Sequence, residues 1–198
     1  MMSNIDYYTY KETYRQNGYA TIPNVYTAKE VNEMRTIIES KNKEGDRYGK
    51  GKTVFAIRQC LKEIPELAAV LFNQNFKQLV DQLCGEDYFT IKSIYFDKPE
   101  EANWYVAYHQ DLMITVAEQL DTPGFGPWTA KSGQYTVQPP VAILENIYTI
   151  RIHLDDTDAE NGALKVIPGS HLKGISRPEL IDHTEFAAEQ CVGPEGGV

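Results

Sequence analysis

A histidine and an aspartate two positions apart, His109 and Asp111, are the first residues in the sequence whose types and spacing suggest chemistry. They lie in the segment VAYHQDLMIT, whose composition is typical of a β-strand. Because residues i and i+2 of a strand point to the same face, we expect the imidazole and the carboxylate side by side, with Gln110 on the opposite face. The simpler alternative is that the two side chains only hydrogen-bond to each other.

A neutral imidazole and a carboxylate together suit a divalent iron ion. One further histidine would complete a face of two histidines and one carboxylate, which leaves open positions on the metal. A chelating oxoacid and then dioxygen can occupy those positions, and such sites oxidise carbon. The pair alone is a weak signal, because a His-x-Asp sequence is frequent by chance.

Composition and charge exclude several other classes of function. The 198 residues include 28 acidic and 19 basic residues, a formal net charge of −9, which argues against a nucleic-acid partner. The three cysteines are widely spaced without a CxxC pair, so neither a disulfide framework nor a structural zinc site is expected. The N-terminus lacks a secretory signal pattern and no long apolar run occurs, so we expect a cytoplasmic protein without a membrane segment.

The first part of the chain predicts helices. Residues 6–17 carry tyrosines at helical spacing and end at Gly18, a good C-terminal cap. Thr27 and Glu30 form a capping-box pattern before an apolar stripe of helical period. A further apolar pattern over 65–83 predicts two short helices.

The second part of the chain predicts strands, because strand-forming residues dominate the segments 88–97, 104–109, 143–155 and 163–167. The segment 121–140 is too long and proline-rich for a hairpin, so we expect a loop that forms a substrate lid, with Trp128 and Tyr135 as wall residues. One α+β domain over 1–198 is therefore predicted, with a helical part to about residue 86 and an antiparallel sandwich or jelly roll after it.

Four motifs in a fixed order make the pattern more specific: HQD, LDD, ENGAL and PGSH. Together with the runs SIYFDKPEEANWYVAYHQD, DTPGFGPWTAKSGQYTVQPP and TIRIHLDDTDAENGALKVIPGSHLKG, they resemble the phytanoyl-CoA dioxygenase family of iron(II)- and 2-oxoglutarate-dependent oxygenases, over about Tyr88 to Gly174. The resemblance implies a cupin-like double-stranded β-helix, or jelly roll, with N-terminal helices. It also implies hydroxylation of a small-molecule substrate by dioxygen, with iron(II) and the cosubstrate 2-oxoglutarate.

Transferred residue by residue, the resemblance makes His109 and Asp111 the first two iron ligands. The acid at position 111 implies hydroxylation, because halogenating relatives have a small residue at the matching position. The histidine of PGSH, His171, matches no ligand of the family, and neither His153 nor His183 is expected to bind the metal.

Two arginines match positions that the family uses for its oxoacid. Arg151 follows the long loop at a position that lines the oxoacid site, and the alternative is that it pairs with Asp155, Asp156 or another strand neighbour. Arg58 falls near a cationic position that approaches the same ligand. The Asn161–Gly162 sequence predicts a tight turn before a strand, a purely architectural role.

The sequence departs from the family pattern after CVGPEGGV. In the family, a distal histidine ligand and an arginine that binds the far carboxylate of 2-oxoglutarate follow such a stretch, so we expect the chain ending at Val198 to lack them and at least one strand. A partial sequence, a lost C-terminal part and a degenerate paralogue are the alternatives. Rival functions are a non-catalytic jelly-roll protein that binds a small molecule, and a cupin-type isomerase or dioxygenase without an oxoacid.

Overall fold

The computed structural model describes residues 5–44, 56–97, 106–131, 133–176 and 187–198. Its helices are α1 (Tyr7–Asn17), α2 (Ala28–Glu44), α3 (Cys60–Glu63), α4 (Leu67–Leu71), α5 (Gln74–Leu83) and α6 (Val141–Leu144), with a 3₁₀ helix at Ser170–Lys173. Its strands are β1 (Ala56–Arg58), β2 (Ile94–Phe96), β3 (Ile114–Val116), β4 (Trp128–Lys131), β5 (Gln134–Val137), β6 (Leu164–Val166) and β7 (Glu189–Cys191). None of the helices in these ranges combines the length and the apolar character that a membrane-spanning segment needs.

The ends of the first two helices follow local sequence signals. Gly18 ends α1 in the left-handed conformation (φ +81°), and its N–H donates to the carbonyl oxygen of Tyr14 at 2.8 Å. At the start of α2, the Thr27 N–H donates to the Glu30 carboxylate at 2.8 Å, and the Glu30 N–H donates to the Thr27 hydroxyl at 3.3 Å. The predicted cap and capping box are therefore confirmed, as are the two short helices α4 and α5.

The main hydrophobic core lies among the helices. Its fully buried members include Val25, Val31, Met34, Ile57, Ile64 and Leu79. Residues 150–154 reach this core from the second half of the chain, through the partly buried side chains of Ile150, Ile152 and Leu154. The helical part therefore provides most of the buried apolar surface, on which the later segments pack.

The described strands form three separate antiparallel sheets, with the orders β1–β2, β3–β5–β4 and β6–β7. The strand predicted at 163–167 is confirmed by β6, and the one at 88–97 is reduced to β2. Within the ranges that the structure describes, these sheets do not by themselves make up the two packed sheets of a jelly roll. The coarser expectation, a chain of helices and antiparallel strands, is confirmed.

Two predicted strands are wrong in the described residues. Residues 106–109 belong to no strand, while 104 and 105 lie outside the described ranges. The segment 143–155 begins in α6 and then continues without strand assignment. Its composition favours strands, but a strand also needs a neighbouring backbone in register, and local composition does not provide one.

The prediction that 121–140 is too irregular for a hairpin is also wrong. Strands β4 and β5 pair within it, and Gly133 has a left-handed φ of +75° at their connection. The prolines do not interrupt the ladder, because Pro123 and Pro127 precede β4, and Pro139 and Pro140 follow β5. The segment is therefore part of a three-stranded sheet.

The glycine-rich segment that runs up to Val198 lies between two other segments. On one side, Ile22 and Val198 exchange two backbone hydrogen bonds of 2.8 and 2.9 Å. On the other side, His153 donates to the Gly197 carbonyl oxygen and accepts from the Gly196 N–H, both at 2.9 Å. These contacts join the beginning, the middle and the last described part of the chain.

Candidate functional site

His109 and Asp111 lie side by side. The Nε2 atom of His109 is 3.9 Å from Oδ1 of Asp111, and the side chains are 55% and 73% exposed. An exposed ion pair contributes at most about 1 kcal/mol to stability. The pair is thus open to solvent and to ligands, and the stability of the fold does not depend on it.

A backbone contact orients the ring of His109. Its Nδ1 atom lies 2.8 Å from the carbonyl oxygen of Ala107. Because a carbonyl oxygen only accepts, the neutral ring carries its proton on Nδ1 and leaves the lone pair of Nε2 directed to the side of Asp111. Histidines that bind metals usually donate their second N–H in this way.

The side chain of Gln110, between the two candidate ligands, contacts a distant segment. Its Nε2 donates to the carbonyl oxygen of Gly174 at 3.0 Å, and its Oε1 accepts from the N–H of Ser176 at 2.8 Å. We call these two hydrogen bonds the Gln110 clamp. It was not foreseen from the sequence, because its partners are backbone groups 64 and 66 positions away.

Neither arginine contacts the pair. Within the described ranges, no hydrogen bond or ion pair joins Arg151 or Arg58 to His109 or Asp111, and both arginines are exposed. Arg58 ends β1 opposite Ile94 of β2.

Arg151 interacts with its neighbours through its charge. Asp155 and Asp156 form no ion pair with it in the described part of the chain, and Asp156 instead accepts from the Glu195 N–H at 2.8 Å. The charge of Arg151 acts on His153 and Cys191. Burial lowers the pKa of His153, and Arg151 lowers it further. Burial raises the pKa of the Cys191 thiol, and Arg151 opposes that rise. Arg151 therefore supplies positive charge beside His153 and Cys191, and no ion pair to it is formed by the described acidic residues.

The sheet of β3, β5 and β4 has one apolar face. Directly paired residues of an antiparallel sheet share a face, so Trp128 lies with Val137 and Ile114, and Tyr135 lies with Ala130 and Val116. The other face carries Thr115, Thr136 and Thr129. The two predicted wall residues are thus on one surface, although within the described residues neither contacts His109 or Asp111 by a hydrogen bond or a ring contact.

The remaining histidines have other surroundings. His171 approaches the end of α1, where its Nε2 lies 3.1 Å from the Arg15 carbonyl oxygen. His153 is 5% exposed and its Nδ1 has no hydrogen-bond partner. His183 lies outside the described residues. Among the residues that the structure describes, no group of three or more His, Cys, Asp or Glu side chains is arranged to hold a metal ion.

The tight turn predicted at Asn161–Gly162 is confirmed, and the PGSH loop makes a backbone contact with the end of α1. Asn161 and Asp158 exchange hydrogen bonds of 2.8 Å between side chain and backbone, and Gly162 has φ +95° before β6. In the PGSH loop, the Gly169 N–H donates to the Asn17 carbonyl oxygen at 2.9 Å. Both sequences fix local backbone geometry.

A comparison with protein families identifies the chain. The model of the phytanoyl-CoA dioxygenase (PhyH) family matches residues 14–194, which includes His109, Asp111 and both arginines. No individual curated protein matches. The match extends well beyond the region in which motifs indicated the resemblance, and it covers most of the chain. The protein therefore belongs to the phytanoyl-CoA dioxygenase family.

Proposed function

We propose that the protein is an iron(II)- and 2-oxoglutarate-dependent dioxygenase that hydroxylates a small molecule. The observation on which this depends is the oriented His109–Asp111 pair in a chain of this family. The acid at position 111 favours hydroxylation, since it occupies the position that a halide would need.

The geometry of the pair is close to that of two ligands on one metal ion. Metal–nitrogen and metal–oxygen bonds of first-row ions are about 2.1 Å long, so two ligand atoms about 90° apart on one face of the ion lie about 3.0 Å from each other. Nε2 of His109 and Oδ1 of Asp111 are 3.9 Å apart, so the two exposed side chains would approach each other by about 1 Å to bind one ion in this way. When bound, iron(II) would coordinate 2-oxoglutarate and dioxygen and would make possible the oxidation of a C–H bond of the substrate. The third ligand implied by the family is a histidine.

The residues of the chain have separate tasks in this proposal. The Ala107 carbonyl oxygen holds the ring of His109 in the ligand tautomer. Arg151, and Arg58 as a second candidate, supply positive charge for a carboxylate of 2-oxoglutarate. Trp128 and Tyr135 form a wall for the substrate and exclude water from it.

The position of the apolar sheet face supports the role of Trp128 and Tyr135. Strand β3 begins three residues after Asp111 and pairs with β5, which contains Tyr135. Three residues span at most about 11 Å of extended chain. The sheet is therefore next to the candidate ligands in the fold, at a distance that a small molecule can bridge.

We also propose that the strand-rich part has the jelly-roll topology of the family. The support is the family match over 14–194 together with three antiparallel sheets in the described residues. The helices before residue 84 would then cover one side of the jelly roll.

A non-catalytic binding protein is the second candidate. It is favoured by the observation that the described residues contain no cluster of three metal-binding side chains. Such a protein would use the apolar sheet face to bind a small molecule, and it would bind no iron.

The test is the formation of succinate from 2-oxoglutarate by the purified protein with iron(II) under air. We expect turnover in the wild type and a loss of about a hundredfold or more in Asp111→Ala, because a metal ligand is removed. Asp81→Ala is the matched control, since Asp81 is exposed on α5 and remote in sequence from the pair. Equal turnover in wild type and Asp111→Ala would refute the ligand assignment, and a protein that takes up no iron would support the binding function.

A further inference from the structure

We propose that Gln110 is a positioning residue, which holds the backbone between the two candidate ligands in the orientation that directs both side chains to one metal ion. This inference rests on the proposed function of His109 and Asp111. The hydrogen bonds of the Gln110 side chain go to Gly174 and Ser176, and in the described residues none goes to His109 or Asp111.

The two ends of the Gln110 amide have complementary partners. The NH₂ group donates to the Gly174 carbonyl oxygen at 3.0 Å, and the amide oxygen accepts from the Ser176 N–H at 2.8 Å. Both partners are backbone groups of one short segment, so the amide binds that segment as a neighbouring strand would. Two hydrogen bonds fix the direction of the amide plane better than one.

The clamp matters because the segment around the ligands lacks a regular ladder. Residues 106–113 belong to no strand of the described fold, although His109 and Asp111 point together as strand residues do. Each ligand side chain is more than half exposed and receives little support from packing. Rotation of the backbone about position 110 would move the two side chains apart, and the clamp opposes that rotation.

Gly174 contributes the second half of the clamp through its conformation. Its φ of +69° and ψ of −156° lie in a region that is essentially restricted to glycine. Among the described residues, no atom lies within 4 Å of the position that a Cβ of residue 174 would occupy. A substitution by alanine therefore acts through the backbone alone, by moving the carbonyl oxygen that accepts from Gln110.

The experiment measures Mn(II) binding by the purified protein, with free Mn(II) followed by electron paramagnetic resonance, and thermal unfolding of the metal-free protein. Gln110→Met keeps the length of the side chain and removes both hydrogen bonds. We expect Mn(II) binding to weaken about tenfold, the lower range for a residue that supports a ligand, with little change in metal-free unfolding. Gln119→Met is the matched control, because Gln119 is exposed and makes no side-chain hydrogen bond within the described residues.

Two further variants test whether the loss of Mn(II) affinity comes from the Gln110 clamp or from a general destabilisation of the fold. Gln110→Glu keeps the bond from the Ser176 N–H and loses the donor to Gly174, so its Mn(II) affinity should lie between those of the wild type and Gln110→Met. Gly174→Ala should weaken binding when Gln110 is present and add little in the Gln110→Met background, because both changes break the same contact. Gly162→Ala, at φ +95° with no atom near its Cβ, controls for backbone strain.

The results distinguish the two proposals. If the wild type binds Mn(II), Asp111→Ala does not, and Gln110→Met binds as the wild type does, the role of Gln110 is refuted while the ligand pair is retained. If the wild type binds no Mn(II), both proposals fail. Two results would show a purely structural role and overturn the inference. One is that the effects of Gly174→Ala and Gln110→Met on Mn(II) affinity add up. The other is that both Gln110 variants lose as much metal-free stability as Mn(II) affinity.

Discussion

At the scale of single residues, burial separates two kinds of histidine. His109 is exposed, its ring is oriented by one carbonyl oxygen, and it is available for a ligand. His153 is 5% exposed, its ring lies next to Gly193, and its Nδ1 has no hydrogen-bond partner among the described residues. A buried imidazole in this position resists protonation, since the charged form would be poorly solvated.

The state of His153 makes stability depend on pH. Burial and the charge of Arg151 lower the pKa of His153 in the folded protein below its usual value of about 6.5, although the Gly193 backbone and Asp155 oppose this. The unfolded state therefore binds the proton more readily, and the contribution of His153 to stability, complete above about pH 6.5, is lost as the pH falls through the folded-state pKa. We expect the free energy of unfolding by urea to fall more between pH 7.5 and 5.5 in the wild type than in His153→Leu.

His109→Leu is the control for that measurement. It removes an exposed histidine and leaves the buried ring of His153 in place, so the fall in stability that His153 causes should remain. The same slope in the wild type and His153→Leu would contradict the assignment of the effect to the buried ring.

At the scale of elements, the C-terminal end of α1 shows how a local signal and a distant contact combine. The last carbonyl groups of a helix lack helical partners. The Gly169 N–H donates to the Asn17 carbonyl oxygen at 2.9 Å. Nε2 of His171 lies 3.1 Å from the carbonyl oxygen of Arg15. The PGSH loop therefore completes the hydrogen bonding of α1, in addition to the cap at Gly18.

A substitution at Gly18 tests this junction. The glycine has φ +81°, and a Cβ there would lie 2.4 Å from Nδ1 of His171. We expect Gly18→Ala to lower the free energy of unfolding by about 2 kcal/mol, of which about 1 kcal/mol is the left-handed backbone. Gly162→Ala, with no atom within 4 Å, should show only the backbone part.

A double variant isolates the contact with the ring. In a His171→Ala background, Gly18→Ala should lose only the backbone part, because the crowded atom is gone. Equal effects of Gly18→Ala in both backgrounds would mean that the ring moves away without penalty.

At the scale of the whole molecule, the segment from Gly193 to Val198 connects distant parts of the chain. It pairs with residues 22–26 on one side and 153–157 on the other. Its glycines allow backbones to approach closely: a Cβ at Gly196 would lie 2.4 Å from the Tyr26 carbonyl oxygen. Unlike the ring next to Gly18, this neighbour is backbone and cannot rotate away.

We therefore expect Gly196→Ala to be the most damaging of the glycine variants, with a loss of about 3 kcal/mol in the free energy of unfolding. Gly133→Ala is the matched control, since its φ of +75° is close to the +77° of Gly196 and no atom lies within 4 Å of its Cβ position. Chemical denaturation of both variants gives the difference, and comparable losses would contradict the close packing at Tyr26.

The sequence alone determined the features that depend on local chemistry. The cap at Gly18, the capping box of Thr27 and Glu30, and the turn at Asn161–Gly162 follow from short-range hydrogen bonding and backbone preference. The motifs around HQD and PGSH also indicated the family, which the match over 14–194 confirms. The approach of His109 to Asp111 was also expected from the sequence, although the strand on which that expectation rested is not formed at 106–113.

Only the tertiary structure decided which distant groups meet. The hairpin of β4 and β5, the clamp between Gln110 and residues 174–176, and the burial of His153 all require contacts with remote backbone. Strand composition predicted a strand at 143–155, yet only the backbone of His153 bonds to a distant segment, at Gly196 and Gly197. The type of each residue determines which hydrogen bonds it can make. The packing of the core determines which distant residue is the partner, because only packing brings residues far apart in the chain into contact.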